Sequence, residues 1–255
     1  MSSKIKILIV DDEPDVLEFI EYNLTREDYD VVKASNGKDA LKMAASEKPS
    51  LILLDIMMPE MDGITLCKKL KTTLETSHIP IVLLTARTSL VFQAEGLETG
   101  ADDYINKPFN PRLLKLRVAN LIASRKRLRE KFSRQLSVEP HEVAITTPDQ
   151  DLLQRAIEAV EKHMDDSGFD VNALAKEVGV SRPVLYRKLP AITDSTPNEF
   201  IRILRLKRAA QILEQADIPV ADVCYQTGFK TPKYFSKCFR ELFGILPSEY
   251  GRRKK

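Results

Sequence analysis

Short apolar runs alternate with amphipathic segments along the first half of the chain. The segments with helical periodicity lie near residues 14–25, 37–47, 62–72, 88–98 and 110–134. The apolar runs of strand length between them are Lys4–Val10, Tyr29–Ala34, Leu51–Asp55, Ile79–Leu84 and Ala101–Asn106. Strands and helices that alternate at this spacing predict an α/β fold, a doubly wound five-stranded parallel sheet.

The second half of the chain carries helical patterns, and two of its segments share one plan. The segments Asp170–Thr193 and Ile218–Gly244 each contain an amphipathic helix, a turn with glycine and a second helix. Ser181 and Thr231 are expected to cap the second helices through their hydroxyl groups. This plan is the helix-turn-helix, whose second helix enters the major groove of DNA. The part after the sheet is therefore predicted to be an all-α domain with a double helix-turn-helix.

A single amphipathic helix is predicted between the two units, over Thr196–Glu214. Its apolar side is expected to carry Phe200, Ile203, Leu204, Leu206, Ala210 and Leu213, and its basic residues Arg202, Arg205, Lys207 and Arg208 are expected away from that side. At 1.5 Å per residue it would be about 28 Å long, close to the roughly 34 Å between successive major grooves. One chain could then place two helices in adjacent grooves.

These patterns divide the chain into three predicted parts. Residues 1–125 form the α/β domain, residues 126–150 a basic helical extension and linker, and residues 151–255 the helical domain. The segment Asn110–Gln135 is predicted to be one long helix, with an apolar strip that includes Leu113, Leu116 and Ile122 and with dense lysines and arginines after Ser124. The linker from residue 136 has no clear period.

The net charge of +2 hides a difference between the two halves. Residues 1–125 hold 16 Lys and Arg against 19 Asp and Glu, a net charge of −3. Residues 126–255 hold 23 against 18, or +5, and the part from Val178 onward holds 15 against 7, or +8. The C-terminal part can therefore meet a polyanion, whereas the N-terminal part cannot.

The composition also limits where the chain works. No stretch approaches 18 consecutive apolar residues and no apolar signal region begins the chain, so we expect no membrane contact. Cys67, Cys224 and Cys238 are too scattered for a disulfide framework or a zinc site. We expect three reduced packing cysteines in a cytoplasmic protein.

Acidic, hydroxyl and basic residues stand at the C-terminal ends of the predicted strands. They are Asp11, Asp12, Asp55, Thr85 and Lys107. In a parallel doubly wound sheet these ends converge on one crevice. Three carboxylates gathered there repel one another unless a hard cation is present, and the oxygen-rich set without histidine suits Mg²⁺.

This set of residues predicts phosphoryl transfer to a carboxylate. Asp55 would accept the phosphoryl group, and Asp11, Asp12, Asp55 and the carbonyl of Met57 would form the metal set. Thr85, Lys107 and the backbone at Ala86 would stabilise the phosphoryl oxygens. A cis bond between Lys107 and Pro108 is expected to fix where the lysine ammonium points.

Four stretches of the first half resemble the receiver domain of two-component response regulators. They are IKILIVDDEPDV, LILLDIMMPEMDG, IPIVLLTA and GADDYINKPF. The resemblance implies a flavodoxin-like fold, a sensor histidine kinase as phosphohistidine donor, and no enzyme activity beyond the chain's own phosphorylation and dephosphorylation. It also implies a switch in which Thr85 turns toward the phosphoryl group and Tyr104 rotates inward.

The second half resembles the AraC family of transcription regulators. The stretches that carry the resemblance are LAKEVGVSRPVLYRKL, TPNEF, RLKRAAQIL and VCYQTGFKTPKYFSKCFRELFGILPSEY. Double-stranded DNA is the implied partner. The first unit departs from the pattern at Pro190, which is expected to shorten or kink its second helix, and at Asp194, which is expected to adopt a left-handed conformation.

The helical period divides the second helices into an exposed and a buried side. The candidates for base contacts on the exposed side are Arg182, Tyr186, Arg187, Lys233, Tyr234 and Lys237. Arg187 could contact guanine with both ends of its guanidinium, and the lysines could equally contact phosphates. Residues Leu185, Leu189, Phe235 and Phe239 are assigned to the core.

Other functions for these residues are less consistent with the sequence or remain open. A phosphatase of the haloacid dehalogenase class needs a second acid two residues after the nucleophile, where this chain has Met57. If Asp11 and Asp12 served only as a helix N-cap, Asp55 and Lys107 would stay unexplained. A phosphorelay adaptor whose helical domain binds protein, and the cytoplasmic part of a Bacteroidetes hybrid histidine kinase, remain as alternatives.

The route of the signal stays open at this point. The predicted basic helix from residue 110 to 135 is a candidate rod between the domains. Phosphorylation could act through a homodimer that uses the surface near Tyr104, or through release of an inhibitory contact.

Overall fold

The computed structural model describes residues 4–86, 100–134, 146–215 and 218–250, with the backbone alone for 128–134. The chain divides into two compact units, Met1–Arg127 and Leu128–Lys255. The predicted helix at 88–98 and most of the predicted linker lie outside the described residues.

The first unit is built on a five-stranded parallel sheet with the strand order β2-β1-β3-β4-β5. The strands are β1 (Lys6–Val10), β2 (Asp30–Ala34), β3 (Leu51–Asp55), β4 (Ile81–Thr85) and β5 (Asp103–Asn106). This arrangement confirms the predicted doubly wound sheet, and each strand begins and ends within two residues of the predicted bounds.

Helices cover both faces of the sheet. They are α1 (Pro14–Thr25), α2 (Gly37–Glu47), α3 (Gly63–Thr72) and α4 (Pro111–Arg134). Successive strand side chains point to opposite faces. Ile7 and Ile9 therefore pack in a core with α1 and α4, whereas Leu8 and Val10 pack in a second core with α2 and α3. Burial on both faces explains why the central strands β1, β3 and β4 are nearly continuous apolar runs.

The buried side of α4 differs from the predicted one. The apolar strip was expected to include Leu113 and Leu116, but their side chains are 44% and 52% exposed. Leu114 and Val118 are buried against the sheet instead. These two residues are four apart and share a helix face, so the packing of α4 on the sheet selects that face over the competing strip.

The second unit is helical throughout its described part. Its helices are α5 (Thr147–Lys162), α6 (Val171–Val178), α7 (Arg182–Thr193), α8 (Pro197–Gln215), α9 (Val220–Gln226), α10 (Pro232–Phe243) and α11 (Pro247–Tyr250). The two predicted helix-turn-helix units correspond to α6 with α7 and to α9 with α10. The predicted connecting helix is α8, shifted by one residue. The C-terminal half of α8 packs with α9 and α10 in one core.

The caps of the second helices differ from the prediction in their mechanism. Ser181 and Thr231 occupy the N-cap positions of α7 and α10, but neither side chain makes a capping hydrogen bond. A proline in the first turn, Pro183 or Pro232, supplies a backbone angle already suited to a helix. Asp170 at the start of α6 does cap, accepting from the backbone N–H groups of residues 172 and 173.

The two departures in α7 have different outcomes. Pro190 does not end the helix, which continues to Thr193. A proline this close to the end removes one backbone hydrogen bond, and the side-chain hydroxyl of Thr193 donates to the carbonyl of Leu189. Asp194 adopts the expected left-handed conformation, with a φ of 58°.

Two further observations complete the fold. The three cysteines are free and buried, as expected of packing residues. Among the described residues, no helix combines the length and the apolar character needed to cross a membrane.

Candidate functional site

The ends of β1 and β3 bring three carboxylates together. Asp11 directly follows β1 and is fully buried, and Asp55 is the last residue of β3 and is also buried. Asp12 lies beside them and is exposed. One carboxylate oxygen from each of the three residues lies within 4.8 Å of the other two. The convergence predicted from the strand ends is therefore present.

Lys107 joins the two buried carboxylates. Its Nζ lies 2.8 Å from Asp11 Oδ2 and 2.8 Å from Asp55 Oδ1. Glu13 Oε1 lies 3.6 Å from the same ammonium group, a neighbour that the sequence did not single out. The peptide bond between Lys107 and Pro108 is cis, as expected.

Burial and charge perturb the protonation of this cluster. Burial raises the pKa of Asp55, and the nearby Asp11 raises it further, although Lys107 and the N–H of Met57 oppose the rise. Burial would lower the pKa of Lys107, but its hydrogen bonds with Asp11 and Asp55 outweigh this and raise it. The carboxylates are thus short of positive charge even with the lysine between them.

The donor set fits Mg²⁺. The cluster offers only oxygen atoms, from two buried carboxylates and one exposed carboxylate, and Mg²⁺ prefers oxygen ligands. A divalent cation would also supply the missing positive charge. Met57 donates its backbone N–H to Asp55 Oδ2 at 3.0 Å. Its carbonyl as a metal ligand stays a prediction.

The other two strand ends lie beside the acidic cluster. Asp55 pairs with Leu84 in the sheet, so Thr85 stands one residue beyond it at the end of β4 and is buried. The backbone N–H of Lys107 donates to the Thr85 carbonyl at 2.6 Å, which ties the two ends together. Ala86 follows and is exposed. Tyr104 in β5 is partly buried against the core that contains α2 and α3.

Gly63 is a residue of this site that the sequence analysis did not use. A Cβ at this position would lie 2.0 Å from the backbone oxygen of Asp55. The N–H of Gly63 donates to the carbonyl of Ile56 at 2.9 Å, so α3 begins directly against the strand end. Only glycine permits this approach. The signal was the glycine that ends the motif LILLDIMMPEMDG.

The second helices of the helical unit expose the expected side. Arg182, Lys233 and Lys237 are exposed, Tyr186 and Tyr234 are 37% and 50% exposed, and Arg187 is partly buried. The four residues assigned to the core, Leu185, Leu189, Phe235 and Phe239, are fully buried. Helical periodicity therefore separated the two sides correctly. The contacts of the exposed residues with DNA stay predictions.

Three basic residues of the helical unit are buried instead of solvated. Lys188 forms an ion pair with Asp149 of α5, and both side chains are buried. Arg205 donates to the Gly228 carbonyl at 3.1 Å and to the Asp166 carbonyl at 2.5 Å. The contact with Gly228 fixes the turn of the second helix-turn-helix unit to α8, and the contact with Asp166 fixes the segment between α5 and α6 to the same helix.

Lys207 is the third of these basic residues, and burial lowers its pKa to about 8. The helical pattern had placed Arg205 and Lys207 away from the apolar side of α8, and this was wrong. The helix is surrounded by neighbours on more sides than a surface helix, so part of its polar side is also covered.

Models of two protein families match this chain. The response regulator receiver domain matches residues 7–119, and a helix-turn-helix domain matches residues 174–253. The first range contains the acidic cluster, and the second begins within α6 and contains α7, α9 and α10.

The chain is also similar to longer curated proteins. It is 50% identical over 250 residues to Histidine kinase P4 of Formosa agariphila, a match that covers 98% of this chain and 18% of that protein. It is 48% identical over 117 residues to the alkaline phosphatase synthesis transcriptional regulatory protein PhoP of Bacillus subtilis, covering 46% of this chain and 48% of that protein. The chain thus spans less than half the length of either relative.

Part of the chain is also similar to solved structures. A response regulator receiver domain protein from Methanospirillum hungatei is 31% identical, covers 49% of this chain and 98% of that chain, and aligns with a TM-score of 0.47.

Proposed function

We propose that this chain, which carries a response regulator receiver domain at residues 7–119 and a helix-turn-helix domain of the AraC type at residues 174–253, is a transcription regulator controlled by phosphorylation of Asp55. The architecture is typical of regulators that act without an enzymatic domain of their own. Chemistry at the receiver is then confined to the addition and removal of one phosphoryl group.

The contact that carries the proposal is the pair of hydrogen bonds from Lys107 to Asp11 and Asp55, with Asp12 beside them. A lysine fixed between two buried carboxylates leaves a negative cluster that is open on the side of Asp12. Such a cluster favours a cation, and the cation with the lysine then favours an incoming phosphoryl group.

The residues of the cluster take separate roles in phosphoryl transfer. An oxygen of the Asp55 carboxylate forms the new P–O bond while the P–N bond of a phosphohistidine breaks, and the donor imidazole retains the electron pair and takes up a proton. Lys107 pairs with a phosphoryl oxygen, and Thr85 and the backbone at Ala86 donate to others. Asp11, Asp12, Asp55 and the carbonyl of Met57 hold Mg²⁺, which when bound neutralises charge on the phosphoryl oxygens.

The helical domain is proposed to bind double-stranded DNA through both second helices. Arg182, Tyr186, Arg187, Lys233, Tyr234 and Lys237 form the proposed DNA-contacting set. Their exposure and the net charge of +8 from Val178 onward support this role. A sensor histidine kinase is the proposed phosphoryl donor, and a homodimer formed on phosphorylation, using the surface near Tyr104, is the proposed active form. We propose that the protein works in the cytoplasm.

The experiment that tests the phosphorylation site compares Asp55→Asn with the wild type. The full chain is incubated with a phosphohistidine donor and Mg²⁺, and covalent labelling is followed by intact mass. We expect Asp55→Asn to abolish labelling because it removes the acceptor oxygen, and we expect chelation of Mg²⁺ to abolish labelling of the wild type.

The matched control is Asp28→Asn. Asp28 is exposed and lies in the turn before β2, at the opposite end of the strands from the acidic cluster. This variant should be labelled as fully as the wild type. Full labelling of Asp55→Asn would remove Asp55 from the account.

A second candidate concerns the polypeptide in which these domains work. Almost the whole chain matches a segment of a much longer protein named a histidine kinase. This similarity favours a hybrid histidine kinase, in which donor and acceptor share one polypeptide, as the alternative to a separate kinase. The chemistry at Asp55 is the same in both cases.

A further inference from the structure

The exposed tyrosines of the two second helices both contact α8. Asn198 Nδ2 donates to the hydroxyl of Tyr186 of α7 at 3.4 Å. The guanidinium of Arg202 interacts with the hydroxyl of Tyr234 of α10, and this interaction raises the pKa of Arg202. The two helix-turn-helix units are therefore joined, through their tyrosines, to a single connecting helix.

The two contacts lie on one face of that helix. Asn198 and Arg202 are four residues apart in α8, and residues at this spacing are neighbours on a helix surface, with about 5–6 Å between their Cβ atoms. We call this surface the α8 patch. Because each second helix reaches the patch with a side chain from its N-terminal half, the patch lies between the two second helices.

The α8 patch contains an accessible basic residue, whereas two other basic residues of the helix are buried. The side chain of Arg202 is 37% exposed, whereas Arg205 and Lys207 are buried. Arg182 of α7 lies over the ring of Tyr186, with its Cζ 5.3 Å from the ring centroid. Two partly exposed guanidinium groups thus flank the two tyrosines.

One acidic residue faces Arg202 from the same helix. Glu199 Oε1 lies 3.8 Å from a guanidinium nitrogen of Arg202. The other oxygen of this carboxylate is occupied, because it accepts from the backbone N–H and the hydroxyl of Thr196 at 2.8 and 2.7 Å. Glu199 therefore serves mainly as the capping residue of α8, and its distance from Arg202 leaves guanidinium donors for another acceptor.

We propose that Arg202 contacts a phosphate of the DNA backbone between the two major grooves that α7 and α10 enter. This inference rests on the proposed binding of DNA and adds a contact to it. Between two successive major grooves a duplex presents its sugar-phosphate backbone and minor groove to a protein that lies on the same side. A planar guanidinium matches a phosphate better than any other side chain.

The same geometry changes the proposed role of the two tyrosines. A tyrosine whose hydroxyl is directed to the α8 patch faces the backbone between the grooves and is directed away from the base edges. Tyr186 and Tyr234 then act as positioning residues, which hold Asn198, Arg202 and the second helices in register, and base contacts fall to the remaining four candidates.

The test uses the salt dependence of DNA binding by the full chain. The probe is a duplex of mixed sequence of about 24 base pairs, long enough for two successive major grooves. Each phosphate contact contributes about 0.9 to the slope of log affinity against log salt. Arg202→Gln should reduce the slope by about 0.9, so its affinity relative to the wild type changes roughly 3- to 4-fold between 50 and 200 mM salt. Arg202→Lys keeps the charge and should keep the wild-type slope.

The matched control is Arg208→Gln. Arg208 lies on the same helix, is exposed, and bonds only to Gln211 among the partners described for it. The substitution removes the same charge but should leave the slope unchanged. Glu199→Gln should tighten binding roughly twofold, because it removes a negative charge near the phosphate while a glutamine oxygen can still cap the helix. A purely structural role of the α8 patch would not produce tighter binding.

The outcomes separate this inference from the proposed function. If the wild type shows no binding that weakens with salt, the DNA-binding function itself fails. If the wild type binds but Arg202→Gln and Arg208→Gln have the same slope as the wild type, the function stands and the phosphate contact is wrong. Loss of binding by Glu199→Gln in a folded protein would also overturn the contact.

Discussion

Both domains bury charged side chains, but the buried charges have different roles in the two domains. In the receiver domain Asp11, Asp55 and Lys107 form a cluster with more negative than positive charge, beside the exposed Asp12. In the helical domain Lys188 forms an ion pair with Asp149, and both side chains are buried. Buried charge therefore does not by itself mark a functional site. What distinguishes the receiver cluster is its unequal charge and its open side, which together favour a cation and a phosphoryl group.

The largest expected difference between the two kinds of buried charge concerns the loss of the lysine. Lys188→Met leaves the Asp149 carboxylate buried without its cation and should destabilise the helical domain by about 3–5 kcal/mol. Lys107→Met should also destabilise the receiver domain, but millimolar Mg²⁺ should restore much of this loss. The measurement is urea unfolding with hydrogen exchange in peptides from each domain, with and without Mg²⁺.

The recovery of stability on addition of Mg²⁺ is the result that distinguishes the two kinds of buried charge. Mg²⁺ can reach the carboxylates beside Asp12, whereas Asp149 is closed to solvent. If Mg²⁺ restored the stability of both variants equally, or of neither, the proposed difference between an accessible cation site and a buried structural ion pair would be contradicted.

Lys207 is a second buried cation of the helical domain, and its effect on stability should depend on pH. The pKa of Lys207 is about 8 in the folded protein against 10.5 for an unperturbed lysine. Between these values the unfolded chain binds more protons than the folded chain, so the contribution of Lys207 to stability rises with pH. Below pH 8 burial of the charge costs about 3 kcal/mol. Lys207→Met should therefore stabilise the helical domain at pH 7 by up to this amount.

The gain from Lys207→Met should shrink as the pH rises from about 8 to 10.5, in urea titrations of both proteins across that range. Lys230→Met, at an exposed position, serves as the control and should show neither effect. A Lys207→Met protein that is less stable than the wild type at pH 7, with an unchanged pH profile, would contradict the cost assigned here to burial of the Lys207 charge.

The smallest expected effects are those of replacing one glycine in each domain with alanine. Gly63→Ala should destabilise the receiver domain by about 3 kcal/mol, because the new methyl group meets the backbone of Asp55. A Cβ at Gly244 would meet no atom within 4 Å, and only the positive φ of 79° disfavours alanine there. Gly244→Ala should therefore lower the free energy of unfolding by about 1 kcal/mol. Gly63→Ala should also slow phosphorylation, since Asp55 must shift. Equal costs at the two positions, with normal phosphorylation, would remove Gly63 from the site.

The receiver domain could be predicted from the sequence closely because its determinants are local. The central strands β1, β3 and β4 are continuous apolar runs, and each site residue stands at or just beyond the end of a predicted strand. Parallel topology then brings Asp11, Asp55 and Lys107 together without any detail of packing. Gly63 was missed because its role depends on how closely α3 approaches β3, a distance that periodicity does not contain.

In the helical domain, the sequence pattern did not predict which basic residues are buried. Periodicity placed Phe235 and Phe239 in the core correctly, but it assumes that each helix has one covered side. In α8 the covered surface extends to Arg205 and Lys207, and in α7 to Lys188, because several helices pack around each of them. Whether a basic residue meets DNA or a backbone carbonyl depends on these neighbours, which only the three-dimensional arrangement supplies.

The central claim is that a phosphoryl group on Asp55 changes DNA binding by the helical domain. The most direct measurement is the affinity of the full chain for duplex DNA, with and without beryllofluoride and Mg²⁺ as a phosphoryl mimic, in the wild type and in Asp55→Asn. Coupling between two sites typically changes affinity by about 5- to 150-fold, so we expect a change in this range for the wild type and none for Asp55→Asn. A wild-type affinity that stays constant while the mimic occupies Asp55, or the same change in Asp55→Asn, would contradict the account.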